Sequence, residues 1–108
     1  MAAADHGYVT LVALRVTDPA TYALYRAAMT PILHAYGGDF GCDFVVAEAL
    51  RGVDDPGVNR VFSIGFPDQA TKDRFFADER YLAVRAEFFA PSVASTQILA
   101  EMVPIERR

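Results

Sequence analysis

The stretch Tyr8-Val9-Thr10-Leu11-Val12-Ala13-Leu14-Arg15-Val16, residues 8–16, is apolar on both faces of the β-strand that it predicts. Successive side chains of a strand point to opposite faces, so Tyr8, Val12, Leu14 and Val16 share one face while Val9, Leu11 and Ala13 share the other. The rest of the chain supplies only enough helix to cover one side of a small sheet. We therefore expect a second copy of the chain to cover the other side.

The elements that follow this strand are marked by helix caps and turn residues. Asp18 and Pro19 are typical of a helix start, and Gly37-Gly38 is typical of a helix end. The predicted elements are, in order, strand 8–16, a helix from Pro19 to about Tyr36, strand 40–50, a loop at 52–57, strand 58–66, a helix from Pro67-Asp68 through Ala77, a helical piece capped by Asp78 and running to about Phe89, and strand 94–103. The order βαββαβ favours an α+β, ferredoxin-like fold, in which two helices pack on one face of a four-stranded antiparallel sheet.

Composition and charge limit the classes of function. With 108 residues, of which 53% are apolar and 22% charged, the chain is expected to form one globular domain over residues 1–108 with its core at about 8–104. The net charge of −4 and the scattered basic residues argue against a nucleic-acid partner. No apolar run reaches the length of about 20 residues that spans a bilayer, and the first residues lack the pattern of a signal peptide. We therefore expect a cytoplasmic protein without a membrane partner, and the single Cys42 fits a reducing compartment.

A known family shows a similar pattern of residues. The matching positions are Tyr25, Pro31, Tyr36-Gly37-Gly38, Phe40, Glu48, Arg60, Phe66-Pro67, Phe76, Tyr81 and Arg85. They cover roughly residues 8–104 and resemble the family named domain of unknown function 1330. The resemblance implies the dimeric α/β-barrel superfamily, in which two ferredoxin-like subunits press their open sheet faces together and often leave a cavity between sheet and helices. The chain departs from the pattern at Gly41-Cys42-Asp43-Phe44 and at Phe75-Phe76, where the family more often has Trp-Tyr.

Glu48 and Arg60 are the first candidates for chemistry. If the hairpin turn centres on Asp54, Glu48 lies directly opposite Arg60 on strands 2 and 3. One interpretation is a cross-strand ion pair of about 0.2–1 kcal/mol if it is exposed. The other is a catalytic pair in a cavity, where Arg60 binds a carboxylate or enolate and Glu48 moves a proton.

His34 is a further candidate catalytic residue, because a histidine exchanges protons near neutral pH. Its spacing from Arg26 and Thr30 places it on a polar stripe of the first helix, where contact with water is the alternative.

Three tyrosines and one arginine are candidate ligand-binding residues. Tyr25, Tyr36 and Tyr81 could converge on one cavity and orient a carbonyl or phenolic ligand, and packing in the core is the alternative. Arg85 follows Tyr81 by four residues, so the two can present a hydroxyl and a cation on the same helix face.

The sequence predicts neither a metal site nor a cofactor site, since His, Cys and Gly occur in no ligand or phosphate-binding spacing. We expect a homodimer, formed through the sheet face, that holds a small and largely apolar molecule in each subunit. Two hypotheses remain open at this point. One is cofactor-free proton-transfer chemistry of the isomerase, cyclase or lyase type, and the other is a non-catalytic dimeric binding or assembly module.

Overall fold

The structure, a computed structural model that describes residues 6–103, follows the order βαββαβ. Its elements are β1 (Tyr8–Val16), α1 (Pro19–Ala35), β2 (Asp39–Val45), β3 (Arg60–Phe66), α2 (Gln69–Ala77), α3 (Glu79–Val84), a π-helical turn (Arg85–Phe89) and β4 (Val93–Met102). The strands form one antiparallel four-stranded sheet in the order β2-β3-β1-β4. The predicted ferredoxin-like fold is confirmed.

The two faces of β1 differ in their burial. Tyr8, Val12 and Leu14 are buried under the helices and join the hydrophobic core. On the other face Val9 and Leu11 are only half-buried. This second face continues onto β3, because Val9, Leu11 and Ala13 pair with Gly65, Ser63 and Val61. The described chain therefore leaves this face open around Val9 and Leu11, whereas Ala13 is buried and Asp55 of the β2–β3 connection bonds Arg15 and Ser95 at the other end of the face.

Local capping explains where α1 begins and ends. The Asp18 carboxylate accepts a hydrogen bond from the Thr21 N–H at 3.1 Å, and Pro19 occupies the first turn. Gly37 has φ of 75°, a conformation that favours glycine and ends a helix. The helix continues through Pro31. Its buried stripe is formed by Tyr22, Tyr25, Met29 and Leu33.

Asp78 caps α3 and connects it to the end of α1. Its Oδ1 accepts a hydrogen bond from the Arg80 N–H at 2.7 Å, and its Oδ2 accepts one from the Tyr36 hydroxyl at 2.7 Å. The hydrogen bond from the Arg80 side chain and the one from Tyr36 hold the pKa of Asp78 well below its usual range. The carboxylate that begins α3 is therefore held in its charged form. The negative charge interacts favourably with the positive end of the helix dipole.

The hairpin of β2 and β3 differs from the prediction. β2 ends at Val45 instead of residue 50, and the pairing has a bulge between Phe40 and Asp43. Val45, not Glu48, is the residue opposite Arg60. The predicted pairing of Glu48 with Arg60 is therefore wrong, because β2 ends three residues before Glu48, which lies in the long connection between Val45 and Arg60 instead of in a strand.

Candidate functional site

A cavity lies between the sheet and the helices. Its volume is about 170 Å³, and β1, β2, β3, β4 and all three helices contribute to its walls. The walls are mostly aromatic and aliphatic, with rings from Tyr25, Phe40, Phe62, Phe76, Tyr81 and Phe89. A closely packed core leaves few voids larger than a water molecule, so a space of this size within the hydrophobic layer is notable.

Two tyrosine hydroxyls meet at this cavity. Tyr25 comes from α1 and Tyr81 from α3, and their hydroxyl oxygens are 2.8 Å apart. Both residues are buried, with 5% and 3% of their surfaces exposed. One hydroxyl must donate to the other, so the accepting hydroxyl keeps its own hydrogen for a further acceptor. The pair therefore offers one O–H donor to a molecule in the cavity.

Burial keeps both phenols neutral. It raises the pKa of Tyr25 far above its ordinary value and also raises the pKa of Tyr81. The nearby Arg85 side chain, by hydrogen bonding and by its charge, lowers the pKa of Tyr81 in part. Neither phenol is a base near neutral pH, and their chemistry is to donate hydrogen bonds.

Arg85 brings a positive charge to the edge of the cavity. It lines the cavity, is exposed on its outer side, and places its guanidinium carbon 4.9 Å from the centroid of the Phe89 ring. It begins the π-helical turn, in which the Ala90 N–H donates to the Arg85 carbonyl at 3.0 Å. Such turns inside helices often occur at functional sites. Arg85 can attract the polar end of a molecule whose apolar part lies deeper.

The structure thus brings together three of the predicted site residues, Tyr25, Tyr81 and Arg85. Tyr36 is not among the residues that line this cavity, because its hydroxyl turns away to Asp78. That hydrogen bond raises the pKa of Tyr36. Its observed contact belongs to the helix cap and not to a ligand site.

His34 and Glu48 do not line the cavity either. His34 is exposed on α1 with its Nε2 atom 3.2 Å from Asp39 Oδ1. Glu48 is exposed in the segment that follows β2. The arrangement in which Glu48 and Arg60 face each other across one cavity does not form in this fold.

Arg60 pairs with Asp43 instead. Its Nε and Nη2 atoms donate to the Asp43 carboxylate at 2.8 and 2.9 Å. The sequence interpretation missed Asp43 because unbroken alternation assigned it to the opposite face of strand 2 from Phe40. The Gly41-Cys42 step beside it was the available signal, since glycine inside a strand often marks a bulge.

Two other classes of site find no support in the described part of the chain. Within residues 6–103, no three His, Cys, Asp or Glu side chains lie close enough together to hold a metal ion. None of the described helices is both long and apolar enough to cross a membrane.

Comparison with known proteins identifies the family. The model of the family described as "Domain of unknown function (DUF1330)" matches residues 6–102. The chain belongs to the DUF1330 family. No curated protein matches this DUF1330 chain.

Solved structures share the fold of this DUF1330 protein. A protein of unknown function from Rhodopseudomonas palustris is 19% identical, with a TM-score of 0.71 over 94% of this chain and 85% of that chain. A dabb family protein with a ferredoxin-like fold from Mesorhizobium loti is 18% identical, with a TM-score of 0.65 over 92% of this chain and 97% of that chain. A protein from Nitrosomonas europaea, proposed to be an antibiotic biosynthesis monooxygenase, is 17% identical, with a TM-score of 0.62 over 92% and 99%. At these identities the likeness shows the common fold and no common activity.

Proposed function

We propose that this DUF1330 protein binds a small, largely apolar molecule with one hydrogen-bond acceptor in the cavity between its sheet and its helices. The observation that carries the proposal is the Tyr25–Tyr81 hydroxyl pair, buried in an apolar wall beside an unfilled space. Binding sites for small molecules are commonly apolar cavities with a few polar groups that set orientation.

The size of the cavity limits the ligand. An engineered protein cavity of about 150 Å³ binds benzene. The space here is about 170 Å³. It suits a molecule of one ring with a short polar substituent, or an aliphatic molecule of similar volume.

The polar groups of the cavity favour a ligand that accepts hydrogen bonds. The described residues that line it supply hydroxyls from Tyr25, Tyr81 and Thr96 and the guanidinium of Arg85. They include no carboxylate and no imidazole. A carbonyl, enolate or phenolate oxygen is the matching partner. Catalysis at this site would consist of stabilising negative charge on that oxygen, with the proton exchanged by the substrate or by water.

The cavity also separates this proposal from the alternative of a non-catalytic assembly module. A module that only assembles would fill the space between its layers with its own aromatic side chains. Here Tyr25, Phe62 and Tyr81 surround the space without closing it.

A homodimer is part of the proposal. The uncovered sheet face carries Val9, Leu11 and Val61 in its centre, and exposed Phe44 and Met102 near its edges. Burial of such a face against a second copy of the chain stabilises both copies by the hydrophobic effect, at about 25 cal/mol per Å² of apolar surface. A cytosolic location is also part of the proposal, supported by the single cysteine, which fits a reducing compartment.

The proposal is tested with acetophenone, which has one ring and one carbonyl oxygen, and with ethylbenzene, which has a similar shape and no acceptor. Isothermal calorimetry should show tighter binding of acetophenone, and the double replacement of Tyr25 and Tyr81 by Phe, which removes both hydroxyls, should reduce that preference. Tyr36→Phe is the matched control, because its hydroxyl lies outside the cavity, and it should keep the preference. Equal affinity of the wild-type protein for both molecules, or no binding of either, would contradict the proposal.

A further inference from the structure

A second charged cluster lies at the β2 end of the sheet, on the side covered by helices. It consists of Arg26 of α1, Asp43 of β2 and Arg60 of β3. The Arg60 side chain donates to both Asp43 oxygens, and the Nη1 and Nη2 atoms of Arg26 approach the same oxygens at 3.3 and 3.4 Å. Two guanidinium groups share one carboxylate, so the cluster has one positive charge in excess.

Aromatic rings hold this excess charge in place. The guanidinium carbon of Arg26 lies 4.0 Å from the centroid of the Phe40 ring and 4.8 Å from that of Phe62, and its Nε donates to the Tyr22 hydroxyl at 2.8 Å. The side chains of Arg26 and Arg60 are 17% and 27% exposed. Stacked and half-shielded guanidinium groups lose little rotational freedom when they bind an anion, and their attraction is screened less than that of an exposed side chain.

Arg60 also lines a groove on the surface. Its other walls are Val16, Pro19, Val45 and Asn59, and its volume is about 170 Å³. None of these residues lines the cavity of Tyr25 and Tyr81. The Asn59 side-chain amide already bonds the backbone N–H and carbonyl of Val16, at 2.8 and 2.9 Å. Arg60 is therefore the group of this groove that can attract an anion.

The guanidinium of Arg60 has donors left for a second partner. Asp43 occupies its Nε and Nη2 atoms, and a guanidinium carries more N–H groups than these two bonds use. Asp18, the acidic neighbour of Pro19, directs its carboxylate to the N–H and hydroxyl of Thr21, at 3.1 and 2.7 Å. Arg26 shares Asp43 and so weakens the repulsion that Asp43 would exert on an anion bound to Arg60.

We propose that this groove binds the carboxylate of a small organic acid, with Arg60 as the donor and with Val16, Pro19 and Val45 in contact with the short hydrocarbon part of the acid. One excess positive charge matches a monoanion. The apolar walls match a hydrocarbon chain, which an inorganic anion does not have. Arg26 is a positioning residue that compensates the charge of Asp43.

The ligand chemistry is tested by NMR titration of the full ¹⁵N-labelled chain with pentanoate, with neutral pentanamide and with inorganic phosphate. Pentanoate should shift the backbone amide signals of Val45, Asn59 and Arg60 in a saturable way. Pentanamide and phosphate should bind these positions at least about tenfold more weakly. Equal binding of pentanoate and either control compound would overturn the proposal, and so would pentanoate shifts confined to the cavity of Tyr25 and Tyr81.

Charge variants at the rim test the role of the cluster without breaking it. Val45 lies opposite Arg60 and is 82% exposed, so substitutions there preserve the fold. Relative to Val45→Asn, which removes the same apolar contact without adding a charge, Val45→Asp should weaken pentanoate binding by about twofold to fivefold, and Val45→Lys should strengthen it by a similar factor. Unchanged affinity in both variants would overturn the proposal even if an Arg60 variant failed to fold.

Arg60→Gln removes the proposed donor and should reduce the affinity for pentanoate by at least about tenfold. Arg80→Gln is the matched control, because Arg80 is an exposed arginine of α3 that lies outside the groove, and it should bind pentanoate like the unmodified protein. A folded Arg60→Gln variant with unchanged affinity would overturn the assignment of Arg60.

Discussion

Replacing Tyr25 and Tyr81 by phenylalanine, singly and together, should lower the stability of the protein in a strongly non-additive way. The two hydroxyl oxygens are 2.8 Å apart, and the residues are 5% and 3% exposed. Removing one hydroxyl leaves the other in an apolar environment without its partner. An unsatisfied buried polar group destabilises by about 1–3 kcal/mol, whereas replacing both partners with apolar groups is nearly neutral beyond the loss of one hydrogen bond.

The two single variants should also differ from each other. In Tyr25→Phe, the Tyr81 hydroxyl keeps the positively charged Arg85 side chain nearby. In Tyr81→Phe, the Tyr25 hydroxyl loses the only partner that the described structure gives it. We expect about 1 kcal/mol for Tyr25→Phe and about 2–3 kcal/mol for Tyr81→Phe. The double variant should lose less than the sum by about 1–2 kcal/mol.

Urea unfolding at a fixed protein concentration measures these differences, and a fixed concentration is needed because a dimer has a concentration-dependent stability. With a slope of about 2 kcal/mol per molar urea, the midpoint of Tyr81→Phe should fall by about 1–1.5 M. Tyr36→Phe provides a matched Tyr-to-Phe change in a different, half-buried hydrogen bond, to Asp78. If the losses of the Tyr25 and Tyr81 variants simply add, the two hydroxyls are not coupled and the reasoning is refuted.

Two further predictions concern the sheet face and the acid stability. Leu11→Asp places a charge in the centre of the open part of the sheet face and should halve the mass seen in sedimentation. Leu24→Asp, on the exposed side of α1, is the control and should sediment as a dimer. A wild-type protein that sediments as a monomer would contradict the proposed interface. Asp55 accepts a hydrogen bond from Ser95 at 2.6 Å, and this bond with its other donors lowers the pKa of Asp55 to about 2. Because the pKa of Asp55 is lower in the folded protein, this contact stabilises the fold fully at pH values above the ordinary pKa of 3.8. The stabilisation is lost as the pH falls towards 2. Asp55→Asn should therefore lower stability at neutral pH and flatten its decline between about pH 4 and 2. Plots of stability against pH that have the same shape for the wild type and Asp55→Asn would refute this.

Much of the fold was predictable because its signals are local. Asp18 and Asp78 cap helices as their positions predict, and Gly37 ends α1 with a positive φ. Capping depends on hydrogen bonds within a few residues of the chain, so a sequence pattern identifies it without knowledge of the remaining structure.

Part of the candidate site was predictable for a related reason. Tyr81 and Arg85 are four residues apart and stay neighbours where α3 passes into the π-helical turn. Tyr25 lies on the apolar stripe of α1 and therefore faces the interior. Tyr36 follows the last residue of α1, where helical spacing no longer sets the direction of a side chain, and the helix cap at Asp78 captures its hydroxyl.

The order of the elements and the two apolar faces of β1 could be read from the chain, because periodicity and caps depend on neighbouring residues. The partner of Arg60 could not. β2 ends at Val45, so Glu48 lies beyond the strand, and a bulge between Phe40 and Asp43 turns the Asp43 side chain to the face where Arg60 lies. The register of a bulged hairpin depends on how the whole sheet packs against α1, so only the tertiary structure decided which charges meet and where a cavity remains.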